Sequence, residues 1–398
     1  MPRILRLINR LNLGGPTFNA AYLTKYLSPD FETLLVAGMI DESEASSEFI
    51  VRDMGLEPVF LRQMYRAIHP SRDWQAYRQL KKLIGDFKPD IVHTHAAKAG
   101  ALGRMAAGAC GVPVVVHTFH GHVFHSYFSS IKSGIFIRLE RFLATKSDAI
   151  IAISEKQKSE LSNRFRICAA EKIKVIPLGF DLRHFSQGTI EKRKRFRENY
   201  FVEGDEFVIA VVGRLVPVKN HPMFLSAVAR LVPRTSKKVR VFIVGDGEEH
   251  EKLEAICRSL SLSFCNFPLS PQKATVTFTS WIKNVDEVYA GSDLIALSSR
   301  NEGTPVSIIE ALASGKPVVT TDAGGIGDFF VQGQHGLIVS GEQASAFSDA
   351  LLQVMENPGL YRSATESSKE LLISRFHYQR LIEETKSLYL HLLRNQSR

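Results

Sequence analysis

Short apolar runs alternate with amphipathic windows along almost the whole chain, and this rhythm restricts the fold more than any other sequence feature. The apolar runs Ile4–Ile8, Thr33–Ala37, Val59–Leu61, Ile91–His93, Val114–Thr118, Ala149–Ile153 and Lys174–Ile176 have strand length. Between them lie helical windows such as Asn19–Leu27, Trp74–Phe87, Ala99–Cys110 and Ser154–Asn163. Strands separated by helices cannot pair as hairpins, so the pattern predicts a doubly wound parallel sheet. Its ligands should bind on loops after the strand C-termini.

The rhythm starts again at Phe207–Val212 and continues through Val239–Val244, Val276–Thr279, Asp293–Ser298 and Pro317–Thr321. A chain of 398 residues exceeds what one core usually supports, so two Rossmann-like domains are expected. The first is placed at residues 1–185 and the second at 186–375, with a helix at 376–398 that could cross back to the first domain. The charged run around Glu191–Arg195 is taken as a solvated connector or exposed helix. No apolar stretch is long enough to span a bilayer, and the N-terminus looks like a first strand, not a leader. Cys110, Cys168, Cys257 and Cys265 show no paired spacing, and Cys110 and Cys257 fall on helices among core residues; reduced thiols in a cytoplasmic protein are the simple reading.

A net charge of +9 fits nucleic acid, an anionic membrane surface or phosphorylated small molecules. Zinc-finger, helix-turn-helix and interleaved aromatic–basic patterns are missing, which places nucleic acid last. No Gly-x-Gly-x-x-Gly follows either first strand, which disfavours a nicotinamide-dependent dehydrogenase.

The most informative stretch is Arg300–Gly315, where a buried strand is followed by a loop containing Gly303 and then a short helix. Thr304 suits the N-cap, Pro305 the first helical position and Gly315 a left-handed terminator. The Val306 and Ser307 amides would then face the crevice, where anions bind. Glu302 precedes this helix, and Glu310 lies inside it on a face that would otherwise be core. A carboxylate there is costly unless it is paired or bonded to hydroxyls. Two carboxylates at a helix start suit a ligand bearing phosphates and hydroxyls, as a nucleotide sugar does. Arg214 and Lys219, after the strand at Phe207, add a guanidinium fork and an ammonium suited to a diphosphate.

In the first half, Leu13-Gly14-Gly15-Pro16-Thr17 is either a tight turn or a close approach of backbone to ligand. The loop His93-Thr94-His95 and the cluster His117, His120, His122 and His125 raise the question of a metal, but no carboxylate or cysteine completes the first, and the spacing of the second follows neither a helical His-x-x-x-His face nor a zinc finger. Hydrogen-bonded histidines, with one in the active site, are the preferred reading. Ile131–Lys146 is basic and amphipathic, and reads either as an ordinary packed helix or as a membrane-surface helix.

Taken together, these motifs resemble a retaining glycosyltransferase of family 4 with the GT-B fold, along essentially the full chain. The resemblance rests on Glu302…Glu310, Gly213-Arg214-Leu215…Lys219, Gly245-Asp246-Gly247 and Asp322-Ala-Gly-Gly325. In the first half, Pro89–His95 and Val112–Phe124 are similar to a bacterial surface-polysaccharide branch. The resemblance implies two domains facing a cleft, with the donor held by the second. Arg214 and Lys219 would bind the pyrophosphate, Glu310 the ribose, and the stretch around Trp281–Ile282 the base. Glu302 would contact the transferred sugar, with Gly303, Thr304 and Pro305 lining its pocket. His120 and Gly121 would reach the sugar from the first domain, and Gly15 would lie near the phosphates. A UDP-sugar donor, a lipid-linked or saccharide acceptor and no metal cofactor are expected, and the chain has no Asp-x-Asp motif. Peripheral contact at the inner face of a membrane is a further expectation.

Departures from the family pattern are Asn19 in place of His, Asp328 in place of Glu, and a long Ser263–Lys273 connection read as a local insertion. Same-face attack through an oxocarbenium-like state is favoured over a covalent intermediate. A nucleotide-sugar epimerase or hydrolase on the same fold would turn over donor without acceptor. A non-catalytic nucleotide-sugar-binding subunit would bind the nucleotide with no turnover.

Overall fold

A computed structural model describes residues 1–12, 14–41, 46–121, 130–269 and 272–396, with the side chains of 130–132 excepted. Leu13, His122, His125, Ser270 and Pro271, which figured in the sequence reading, lie outside the described residues, as do the side chains of Ile131 and Lys132. The chain divides into two compact units, Met1–Phe180 with Phe376–Arg398, and Asp181–Arg375.

In the first unit the described strands are β1 (Arg3–Ile8), β2 (Glu32–Gly38), β3 (Val59–Leu61), β4 (Ile91–His95), β5 (Val114–Phe119), β6 (Ala149–Ala152) and β7 (Ile173–Val175). They form one parallel sheet in the order β3-β2-β1-β4-β5-β6-β7. Successive side chains of a strand point to opposite faces, so each strand feeds two cores. Ile4, Val114 and Val116 pack with Leu23, Leu381 and Leu388 on one face. Leu5, Leu7 and Val115 pack with Ala76, Leu80 and Ala106 on the other. The helices supplying these layers are Gly15–Tyr26 and Tyr378–Gln396 on the first face, and Pro70–Phe87 and Ala97–Ala109 on the second.

The second unit repeats the design with β8 (Glu206–Val212), β9 (Lys238–Val244), β10 (Phe264–Asn266), β11 (Val276–Ser280), β12 (Leu294–Leu297), β13 (Val318–Thr321) and β14 (Gly336–Val339). The order is β10-β11-β9-β8-β12-β13-β14, again parallel. Ile209, Val211, Val241, Ile243 and Ala296 meet Phe224, Val228, Phe347 and Leu351 from helices His221–Leu231 and Ala344–Glu356. The expected doubly wound parallel sheets are present in both units. In each, the strand order reverses beside a central strand, at β1 between β2 and β4 and at β8 between β9 and β12. Such switch points open crevices at the C-terminal ends of the strands.

Several local expectations need correction. The Ser263–Lys273 connection contains the edge strand β10, and β14 is a second edge strand with no counterpart in the sequence reading. Both are so short that no period can show. β4 runs on to His95, past the expected strand end at His93, and β5 holds His117 as the run Val114–Thr118 expected; all three rings are fully buried. Gly15, Pro16 and Thr17 belong to the first helix, which leaves Gly14 to make the turn. Cys110 is exposed at a helix end, while Cys257 is buried. The basic run is not simply solvated. Arg193 and Arg197, from helix Thr189–Asn199, donate to Asp293 at 2.8 and 2.7 Å, because that carboxylate sits low in exposure at the start of β12.

Candidate active site

The crevice end of β8 is shaped by interleaved loops. The Gly213 N–H donates to Val244 O at 2.9 Å and the Leu215 N–H to Asp246 O at 2.9 Å. A Cβ on Gly245 would stand 2.0 Å from Gly213 O, and its φ of 143° is one that side chains rarely adopt. The Gly245-Asp246-Gly247 motif thus serves close backbone approach. The end of β11 joins the same edge, since the Gly245 N–H donates to Ser280 O at 3.0 Å and Ser280 Oγ to Asp246 Oδ2 at 3.2 Å. Trp281 and half-buried Ile282 follow directly.

Arg214 is partly buried, and among the described residues its guanidinium has no hydrogen-bond or ion-pair partner. Lys219 ends a one-turn helix, Pro217–Lys219, and its carbonyl accepts from Ser298 Oγ at 2.8 Å. Its ammonium pairs with Glu302 Oε1 at 2.5 Å, and the two side chains are only 19% and 14% exposed. Ser299 Oγ donates to the same oxygen at 2.7 Å. The loop carrying Glu302 is bound on both sides. Arg300 reaches Glu342 at 2.9 Å, Thr321 Oγ1 donates to Ser299 O at 2.5 Å, and the Gly325 N–H donates to Gly303 O at 2.8 Å. Gly324, at φ 67°, comes so near that a Cβ would lie 2.2 Å from Glu302 O.

The helix that follows is Val306–Ala313, with Pro305 as its N-cap in extended conformation. This shifts the expected start by one residue and corrects the role of Thr304. Its hydroxyl is buried with no partner among the described residues, and the Pro305 carbonyl accepts the first helical bonds, from Ile308 and Ile309. The Val306 and Ser307 amides keep no acceptor among the described residues. Gly315 has φ 66°, the left-handed terminator expected. Glu310, one turn in, accepts from Tyr289 Oη at 2.7 Å. Burial pushes its carboxyl up to about 7, and the Tyr289 bond opposes that rise.

In the first unit, Gly15 opens the helix after β1, and exposed Gly121 follows His120 at the end of β5. His120 Nε2 lies 2.9 Å from His95 Nδ1, and burial pushes the His120 ring down to about 3. Its Nδ1 is buried without a partner among the described residues, as is Oδ1 of Asn19. Beside His93 and His95 sits the fully buried guanidinium of Arg6, 2.9 Å from His93 Nδ1. A fixed cation in that position is a poor neighbour for a bound metal ion.

Each sheet therefore gathers its own group of expected residues at its C-terminal edge. The second unit carries Arg214, Lys219, Ile282, Glu302, Gly303, Thr304, Pro305 and Glu310, with Lys219 and Glu302 in contact. The first carries Gly15, His120 and Gly121. Tyr289, Ser299 and Arg6 escaped the sequence analysis, whereas His95 was singled out there among the hydrogen-bonded histidines. Tyr289 meets Glu310 across 21 residues of chain, a pairing that no period or spacing announces.

Comparison with known proteins gives concordant results. Residues 14–184 match the family described as Glycosyltransferase Family 4, and residues 192–371 match Glycosyl transferases group 1. The Escherichia coli UDP-Gal:alpha-D-GlcNAc-diphosphoundecaprenol alpha-1,3-galactosyltransferase is 28% identical over 352 residues, 86% of each chain. Among solved structures, Anabaena Alr3699/HepE in complex with UDP and glucose superposes with a TM-score of 0.81 at 18% identity, covering 98% of this chain and 100% of that one. Sucrose-phosphate synthase from Thermosynechococcus elongatus does so with 0.81 at 16% identity, covering 99% and 100%. At such identities the likeness is one of fold.

Proposed function

Because the chain belongs to the GT-B glycosyltransferases, with a family 4 half followed by a group 1 half, we propose that it transfers a sugar from a UDP-sugar to a lipid-linked or saccharide acceptor with retention of anomeric configuration. The observation that carries this reading is the Lys219–Glu302 pair at the β8/β12 switch point, beside a helix start with two unclaimed amides.

Departure of the nucleotide builds negative charge on the diphosphate. Arg214, Lys219 and the Val306 and Ser307 amides meet that charge with preset donors and little reorganisation. The ribose hydroxyls donate to Glu310, and Ile282 lies against the base. Gly303, Thr304 and Pro305 line the sugar pocket, where the buried Thr304 hydroxyl is available to the donor. Glu302 stands near the reacting carbon, its charge balanced by Lys219. Gly15, His120 and Gly121 are the first unit's contribution, with the neutral His120 ring acting on the sugar. Acceptor attack on the face the nucleotide leaves accounts for retention. The 28% identical relative is named for a UDP-sugar and a diphosphoundecaprenol acceptor, which supports both halves of the proposal.

Helix Ser130–Thr145 supports a membrane-borne acceptor. Ile135, Leu139 and Phe142 are 62%, 41% and 48% exposed, with Arg138 and Lys146 exposed beside them. No described helix is long and apolar enough to cross a membrane, so this contact would be peripheral. Flotation with vesicles rich in phosphatidylglycerol is expected to carry the wild-type chain, and Ile135→Ser, Leu139→Ser, Phe142→Ser together should abolish it. Failure of the wild-type chain to float would remove the membrane contact.

The main test is a thermal-shift screen of UDP and its sugars, followed by NMR of the product formed with an undecaprenyl-diphosphate sugar acceptor. An α-configured donor should give an α-linkage. A β-linked product would overturn retention, and donor turnover indifferent to acceptor would overturn transfer.

A further inference from the structure

We propose that Arg6 sets the tautomer of His120 through His95, so that the His120 ring presents an Nδ1–H donor to the ligand. The inference rests on the reading above that His120 acts on the transferred sugar, and it makes Arg6 and His95 positioning residues.

Arg6 lies fully buried in the middle of β1, on a strand whose neighbours are Leu5 and Leu7. Its guanidinium donates through Nε to Thr24 Oγ1 at 3.2 Å and through NH2 to Leu23 O at 3.5 Å. NH1 faces three groups, His93 Nδ1 at 2.9 Å, Tyr389 Oη at 3.2 Å and His95 Nε2 at 3.5 Å. A guanidinium has donors only and keeps its protons at any accessible pH. Every ring nitrogen turned toward it must therefore offer a lone pair.

This condition fixes the protons in turn. His93 holds its proton on Nε2, which donates to Thr118 Oγ1 at 2.7 Å. Tyr389 accepts from Arg6 and donates to His93 Nδ1 at 2.5 Å. A proton on His95 Nε2 would point at the guanidinium, so the neutral His95 ring carries it on Nδ1. Charging His95 is opposed by full burial and by the cation nearby. His95 Nδ1–H then donates to His120 Nε2 at 2.9 Å. His120 Nε2 accepts, and the His120 proton is left on Nδ1. That Nδ1 is the atom buried without a partner among the described residues. A buried N–H without an acceptor is costly, and a sugar hydroxyl or phosphate oxygen can relieve that cost on binding. The opposite tautomer would present a lone pair, repelling a phosphate and accepting only from hydroxyls.

The experiment is long-range 1H–15N NMR of the histidine rings in the full chain at neutral pH, with His120→Gln for assignment. A protonated Nδ1 and bare Nε2 at His120 are expected. In His95→Phe the ring volume is kept and the donor lost, so the His120 proton should redistribute toward Nε2 and kcat should fall about tenfold or more. Arg6→Lys keeps a donor-only group and should keep the tautomer, while Arg6→Met should lose it. Should the Arg6 variants fail to fold, His95→Phe still decides. A His120 proton on Nε2 in the wild type, or a tautomer unmoved by His95→Phe, overturns the inference. Unchanged turnover in His120→Ala would instead sink the role given to His120 in transfer, with the wild-type spectrum reporting separately on the proton.

Discussion

Glu310 and Lys219 join effects on stability to the roles proposed for them in donor binding. Burial raises the folded carboxyl of Glu310 to about 7, above its unfolded value, so the folded chain holds that proton more tightly than the unfolded chain does. The group costs nothing below the unfolded pKa, and stability falls as pH rises through the interval up to about 7, by at most about 3 kcal/mol. Glu310→Gln is expected to flatten denaturant stability between pH 5 and pH 7, and an unaltered slope would remove the shift. If the ribose hydroxyls donate to Glu310 as proposed, the carboxylate accepts them more strongly than the neutral acid does, so UDP affinity should rise over the same interval in the wild type and stay level in the variant, as calorimetry would show. Lys219→Ala leaves Glu302 half-buried without its cation and, on the proposed reading, takes a charge from the diphosphate. We expect kcat/KM to fall about a hundredfold or more, measured with saturating acceptor. Both carboxylates were legible in the sequence, being charges in places where charge is expensive. Tyr289 and Ser299, which hold them, were not, because an ordinary helix tyrosine and a serine after a strand carry no mark of their partner.

At the scale of elements, the loop bearing Glu302 depends on a glycine in another loop. Gly324→Ala would force a Cβ to 2.2 Å from Glu302 O and strain a residue at φ 67°. The expected result is at least about a tenfold loss of kcat, with hydrogen exchange in β1 and β4 unchanged. Helix Ser130–Thr145 divides sharply between its faces. Leu143 is fully buried, so Leu143→Ala should cost about 2–5 kcal/mol in denaturant unfolding. Ile135→Ser, Leu139→Ser and Phe142→Ser should cost far less together, since those side chains already meet solvent. Central strands such as β5 and β8 were legible because burial on both faces leaves apolar runs, Val114–Val116 in β5 and Phe207–Val212 in β8. Edge strands β10 and β14 were not, although the equally short edge strands β3 and β7 were found. The helix after Glu302 was found one residue out of register, since proline can cap as well as begin a helix.

Across the whole molecule, the chain's end contributes to its beginning. Leu381, Ile382, Leu388 and Tyr389 of helix Tyr378–Gln396 join the core around Ile4, Ile91 and Val114, and Tyr389 hydrogen-bonds Arg6 and His93. Deleting residues 376–398 is expected to strip hydrogen-exchange protection from β1, β4 and β5 while β8 and β12 keep theirs. Equal loss in both units would contradict this. By itself the sequence determined two repeated rounds of parallel sheet and pointed to the residues proposed for a nucleotide-sugar site, because periodicity and misplaced charge are local properties written along the chain. Tertiary structure alone decided which groups meet: Lys219 with Glu302 across 83 residues, Arg6 with His93 across 87, and Arg6 with Tyr389 across 383. Contacts at such separations follow from strand order and face, and those arise only once every element has packed.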